Sequence, residues 1–130
     1  MNTLAIFYGD KRKLEELKKL LYKKTRAVSY TEYDFHNVSH EDRLRLGGEG
    51  KIVIHTLARF VDKTVAEIKS GAIEGAVAFI DGFIARVEET VDVTEYISPL
   101  LEVCDIFYFA YNKSDAERLE KLGATTFEIG

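Results

Sequence analysis

The sequence predicts an α/β domain built on a mostly parallel sheet with helices on both faces. Two observations carry this reading. Short apolar runs alternate with segments whose apolar residues recur at helical spacing. The runs Ala76–Ile80 and Ile106–Ala110 are apolar almost without interruption, as strands buried on both faces require. Crossovers between such strands are right-handed, which places helices on the sheet faces. With 130 residues, 46% of them hydrophobic and including eight Phe and seven Tyr, residues 1–130 suffice for one domain around one core.

Each element follows from a local signal. Thr3–Phe7 is an apolar run broken at Gly9-Asp10, and Leu14, Leu17, Leu20 and Leu21 then recur at helical spacing. Ala27–Phe35 is rich in β-branched and aromatic residues and predicts a second strand, followed by a polar, glycine-bearing loop over His36–Gly50. Ile52–Ile54 predicts a third strand, with Leu57, Val61, Val65 and Ile68 on one face of the next helix; a single helix from position 52 is the alternative.

Ala76–Ile80 predicts a buried strand ending at Asp81-Gly82. Thr94 suits the cap of a helix carrying Ile97, Leu100, Leu101 and Cys104 on one face, with Pro99 limiting its reach toward the N-terminus. Ile106–Ala110 is the next strand. Ser114 caps a helix with Ala116, Leu119 and Leu122, Gly123 closes it, and Thr125–Ile129 is the last strand.

Composition excludes several classes. A net charge of -4 lacks the cationic excess that nucleic-acid backbones select, and the lysines at positions 11, 13, 18, 19, 23 and 24, with Arg12, read as a solvated helix face. No apolar run reaches the roughly 20 residues of a membrane span, and Met1-Asn2 leads straight into a strand without a signal-peptide pattern, so a cytoplasmic protein is expected. The lone Cys104 suits core packing. Absence of Gln and Trp alongside abundant Glu and Lys fits a thermophilic source.

In parallel sheets ligands sit beyond the carboxyl ends of the strands, which singles out Gly9 to Lys13, Asp34 to Asp42, Asp81-Gly82 and Asn112 to Asp115. Asn112-Lys113-Ser114-Asp115 matches the Asn-Lys-x-Asp pattern that reads guanine through a carboxylate; the same residues also suit a strand-to-helix turn. Asp81 is placed as a Walker-B-type Mg²⁺ ligand, or as a turn-forming Asp-Gly. Tyr8 to Lys13 occupies the place of a phosphate loop without its glycines or its Ser/Thr, so Lys11 and Lys13 beside Gly9 are the remaining phosphate candidates. Gly47 to Lys51 imitates such a loop, with Ile52 where the hydroxyl belongs. His36, His40 and His55 show no metal-ligand spacing, and no Gly-x-Ser-x-Gly elbow or Cys–His pairing points to covalent catalysis.

Taken in order, these pieces resemble the MobB-type proteins of molybdopterin guanine dinucleotide biosynthesis, GTP-binding proteins of the SIMIBI P-loop class. Tyr33-Asp34-Phe35-His36 looks like the family's His-Asp-x-His. Asp42, Arg45 and Gly50 are similar in spacing to its Lys-Asp-[Ser/Thr]-x-Arg…Ala-Gly segment. Asp81-Gly82-Phe83 looks like its Val-Glu-Gly-Phe. The family's Gly-Lys-Thr loop, expected between Phe7 and Leu14, is shortened and replaced.

The resemblance implies a P-loop-NTPase-like three-layer sandwich with Asp42 and Asp81 as Mg²⁺ ligands and GTP or GDP as the nucleotide. It also implies a nucleotidyltransferase or molybdoenzyme as partner, and a homodimer. The eroded loop argues against efficient GTP hydrolysis. The leading expectation is therefore an accessory protein of molybdenum or tungsten cofactor maturation with weak or lost GTP binding. The alternatives are a Mg²⁺-dependent nucleotide-processing enzyme and a non-catalytic flavodoxin- or receiver-like interaction module.

Overall fold

The computed structural model describes residues 2–82, 94–110 and 113–130, with the Asp115 side chain outside the described set. The chain runs β1 (Leu4–Gly9), α1 (Lys11–Lys24), β2 (Arg26–Tyr30), α2 (Glu32–His36), α3 (His40–Leu46), α4 (Glu49–Lys69) and β3 (Ala76–Asp81). It continues through α5 (Thr94–Leu101), β4 (Asp105–Phe109), α6 (Lys113–Glu117), a 3₁₀ turn (Glu120–Leu122) and β5 (Thr125–Ile129). All described strand pairs are parallel, in the order β2-β3-β4-β1-β5. This is the predicted α/β architecture.

Strand periodicity divides the apolar residues between two cores. On one face Leu4, Ile6, Tyr30, Ala78, Ile80, Ile106 and Tyr108 pack with Val53, Leu57 and Val61 of α4, Ile97 and Leu100 of α5, and Ala116 and Leu119. On the other face Phe79 and Phe109 are buried with Leu14 of α1, and Phe7, Phe107 and Leu21 pack against them. The Phe7 ring stacks on Phe109 and Phe127, each at 5.3 Å between centroids, so β4, β1 and β5 are joined by an aromatic ladder as well as by backbone bonds.

The structure corrects three local expectations. Ile52–Ile54 lies inside α4 and is not a strand, because Ile52, Val53, Thr56, Leu57, Val61 and Thr64 are all buried at helical spacing. Three β-branched residues were too short a run to set the period, and the tertiary burial of a long helix face decided it.

The second strand stops at Tyr30 and does not reach Phe35. Thr31 caps α2 and Asp34 returns a carboxylate to the Thr31 backbone, a capping box that turns the chain out of the sheet. The polar segment after His36 is not all loop: Ser39 caps α3 by accepting from the Asp42 N–H, and Gly47 ends it at φ 77°.

Pro99 falls inside α5, whose first turn nonetheless reaches back to Thr94, with Ile97 and Leu100 fully buried. Among the described residues no helix is long and apolar enough to cross a membrane.

Candidate functional site

Because every strand points the same way, Gly9, Asp81, Phe109 and Ile129 end at one edge of the sheet. β4 stands between β1 and β3, so Gly9 and Asp81 meet across Phe109 and Ala110. The cleft among them is also lined by Lys11, Leu14 and Lys18, and its volume is about 40 Å³. Among the described residues that is far below the roughly 300–1,000 Å³ of ligand-binding clefts.

Local chemistry explains how tightly this edge is closed. Gly9 has φ +128°, and a Cβ there would collide with the Ile129 carbonyl oxygen, so glycine is required for β1 to lie against the end of β5. The next N–H, of Asp10, donates to Ile129 O at 2.7 Å. The Asp10 carboxylate accepts from the Lys13 N–H at 2.9 Å and caps α1. The Lys13 ammonium donates to Gly130 O at 3.1 Å. A phosphate would be drawn here by a helix N-terminus and a free lysine. Asp10 supplies the anion itself, and Gly130 already engages the Lys13 ammonium.

Asp81 is held in the same way. Lys18 Nζ lies 3.8 Å from Asp81 Oδ2, each side chain is 22% exposed, and the ammonium rests over the Phe109 ring at 5.7 Å. Sequence reading placed Lys18 on a solvated helix face. Its position four residues after Leu14, on the side of α1 that meets the sheet, was the available signal. Gly82 completes the closure, since a Cβ there would strike Phe109 O.

The second expected metal ligand stands apart from this cleft. Asp42 sits in the first turn of α3 and its Oδ1 accepts from Arg45 Nη2 at 3.3 Å. Hydrogen bonds from Arg45 and Ser39, with the Arg45 and His55 charges behind them, hold its carboxyl below the usual range. Asp34 is spent on the α2 cap, and His36 lies 3.6 Å from Glu32. Among the described residues no three His, Cys, Asp or Glu side chains gather as metal ligands.

Of the residues expected to read guanine, Lys113 opens α6 with its side chain exposed, whereas Asn112 and the Asp115 side chain lie outside the described residues. The structure thus brings Gly9, Lys11 and Asp81 together, ties Lys13 to Gly130, and leaves Asp42 elsewhere.

Sequence reasoning missed the larger concavity. A groove of about 590 Å³ runs beside β2, the edge strand of the sheet, and along α4. Val28 and Ser29 form one side; Thr56, Phe60 and Thr64 with Arg59, Lys63 and Glu67 form the other; Asp34, Asn37 and Val38 close one end. Its volume falls within the range of ligand-binding clefts. No signal in the sequence could have found it, since it exists only once α4 packs beside β2.

Comparison with protein-family models, curated proteins and solved structures returned no match.

Proposed function

We propose that the chain is a non-hydrolytic adaptor domain: a P-loop-like α/β scaffold whose phosphate and metal positions are filled by its own groups and whose working surface lies elsewhere. The observation that carries this reading is the β1–α1 junction. There a single residue, Asp10, joins strand to helix, spends its N–H on Ile129 and places its own carboxylate on the helix N-terminus. The N–H groups of Asp10 and Lys13, which a phosphate would use, are thus already engaged within the chain.

The MobB resemblance supplies the setting, a cytoplasmic accessory role to a nucleotidyltransferase or molybdoenzyme in molybdenum or tungsten pterin cofactor maturation. In such a role the domain contributes contacts rather than chemistry.

Calorimetric titration with GTP, GDP and ATP in the presence of Mg²⁺ tests the proposal. The expected result is no saturable heat with any of the three into the millimolar range. Micromolar GTP binding that Asp81→Ala abolishes would overturn it and restore the nucleotide-processing reading.

A further inference from the structure

We propose that the groove between β2 and α4 is a binding site for a neutral polyhydroxylated small molecule, a sugar or polyol, with the Thr64 hydroxyl as its innermost polar contact. The site lies away from the carboxyl edge of the sheet, so it goes beyond the adaptor reading and does not depend on it.

One buried hydroxyl distinguishes this groove. Thr64 is 3% exposed and lines it, yet its side chain makes no hydrogen bond among the described residues. Thr56, eight residues earlier on the same row of α4, shows the usual alternative. Its hydroxyl donates to Ile52 O at 2.9 Å and lies 2.7 Å from the Tyr30 hydroxyl. Thr64 has no counterpart of either bond. A buried hydroxyl left unmatched is costly, and folded chains keep few of them without a water, ion or ligand to meet them.

The walls supply donors and acceptors together. Ser29 of β2, on the opposite side, is half-buried, and its hydroxyl also makes no hydrogen bond among the described residues. Arg59 and Asp62 stand three residues apart on α4, as neighbours on its surface, and neither has an ion-pair partner among the described residues. Lys63 lies 3.9 Å from Glu67, and Asp34 is engaged in the α2 cap. The groups left over are one guanidinium, one carboxylate and two hydroxyls, which between them donate and accept in equal measure.

That set selects by charge and by polarity. An anion meets Asp62 as well as Arg59, and a cation meets Arg59 as well as Asp62, so neither sign of net charge is favoured. An apolar ligand leaves the Thr64 and Ser29 hydroxyls unmet. A polyol serves all of them, because each of its hydroxyls accepts from a guanidinium and donates to a carboxylate or to a side-chain hydroxyl. Val28, Val38 and Phe60 are half-buried and offer apolar surface to the C–H side of a sugar ring. The volume of about 590 Å³ suits a small ligand.

The test follows amide shifts of the protein by NMR with D-glucose, D-ribose and trehalose as probes, and with glucuronate, glucosamine and L-alanine as charged and zwitterionic counterparts. At least one neutral sugar should shift the amides of Val28, Ser29 and the α4 residues from Thr56 to Glu67 saturably at millimolar concentration. It should bind about threefold or more tightly than the counterparts. Thr64→Val should weaken that binding about five- to tenfold, and Ser29→Ala about threefold. Because the Thr64 hydroxyl has no bond within the described chain to lose, Thr64→Val should hold or raise the urea midpoint, whereas Thr56→Val should lower it.

No saturable shift with any of the three sugars at tens of millimolar overturns the proposal, as does tighter binding of glucuronate, glucosamine or L-alanine. Sugar binding indifferent to both Thr64→Val and Ser29→Ala overturns it too. A midpoint lowered as far by Thr64→Val as by Thr56→Val would mean that the chain already satisfies the hydroxyl, with the same consequence. The nucleotide titration is read separately: GTP binding would sink the adaptor reading while leaving a sugar result standing, and failure of the sugars would leave a silent nucleotide titration intact.

Discussion

Replacing Lys18 by Met probes the filled cleft most directly. The ammonium lies 3.8 Å from Asp81, with both side chains 22% exposed, and 5.7 Å from the Phe109 ring centroid. At an effective dielectric near 20 the attraction at this separation is about 4 kcal/mol. Most of it is offset by stripping water from both groups and by ordering the lysine stem. The aromatic face adds about 0.5–1 kcal/mol.

Exposed pairs are worth about 0–1 kcal/mol, and removing one partner of a fully buried pair costs about 3–5 kcal/mol. This pair lies between, so Lys18→Met should destabilise by about 1–2 kcal/mol at neutral pH, with the methionine stem preserving contact with Phe109. Asp81→Asn should cost less in the Lys18→Met background than in the wild type. Urea denaturation of the four proteins should give a coupling energy of about 1 kcal/mol. A coupling near zero would refute the claim that Lys18 occupies the place of the cation at Asp81.

Gly9→Ala should destabilise by about 3 kcal/mol or more, because a positive φ and a collision with Ile129 act together. Gly47→Ala, at positive φ but in open space, should cost only about 1–2 kcal/mol; thermal melts compare them, and equal costs would contradict the sealed β1–β5 edge. Asp42 is depressed below 3.8 in the folded chain, so its stabilising contribution is present above that pH and is lost as pH falls through the lower folded value. Arg45→Ala should bring the Asp42 titration back toward 3.8, measured by carboxyl ¹³C shifts, and change acid stability only in that window. Burial raises the Cys104 thiol from 9.0 to about 11. A thiol-specific reagent at pH 8 should therefore label it only as fast as the protein opens, and stability should begin to fall above pH 9, where the unfolded thiolate forms.

The legible parts of the fold were those whose signal is local. β3 and β4 are uninterrupted apolar runs, Gly123 closes the last helical turn in the left-handed conformation, and Asp81 sits at a strand end as its run predicts. The expected strand at Ile52–Ile54 failed because β-branched residues serve either period, and only the neighbouring α5 and sheet, which bury that side of α4, choose between them. The end of β2 was written in Thr31-x-x-Asp34, but Tyr33 and Phe35 on either side of Asp34 read as strand. In the candidate site, the acid was legible and its partner was not. Lys18 reaches Asp81 from another element, and Gly9 owes its identity to Ile129 at the far end of the chain.

The two glycines at the carboxyl edge show how that edge is closed by the chain's own backbone. Gly9 and Gly82 each let one strand end lie against the backbone of its neighbour, Ile129 in one case and Phe109 in the other. Glycines at such positions in nucleotide-binding folds free backbone N–H groups for a phosphate. Here the same freedom brings backbone onto backbone, and the N–H of Asp10 is consumed by Ile129. A ligand at that edge would have to displace internal bonds before making its own, and the net gain per exchanged hydrogen bond is close to nothing. β2, by contrast, pairs with no strand other than β3 among the described residues.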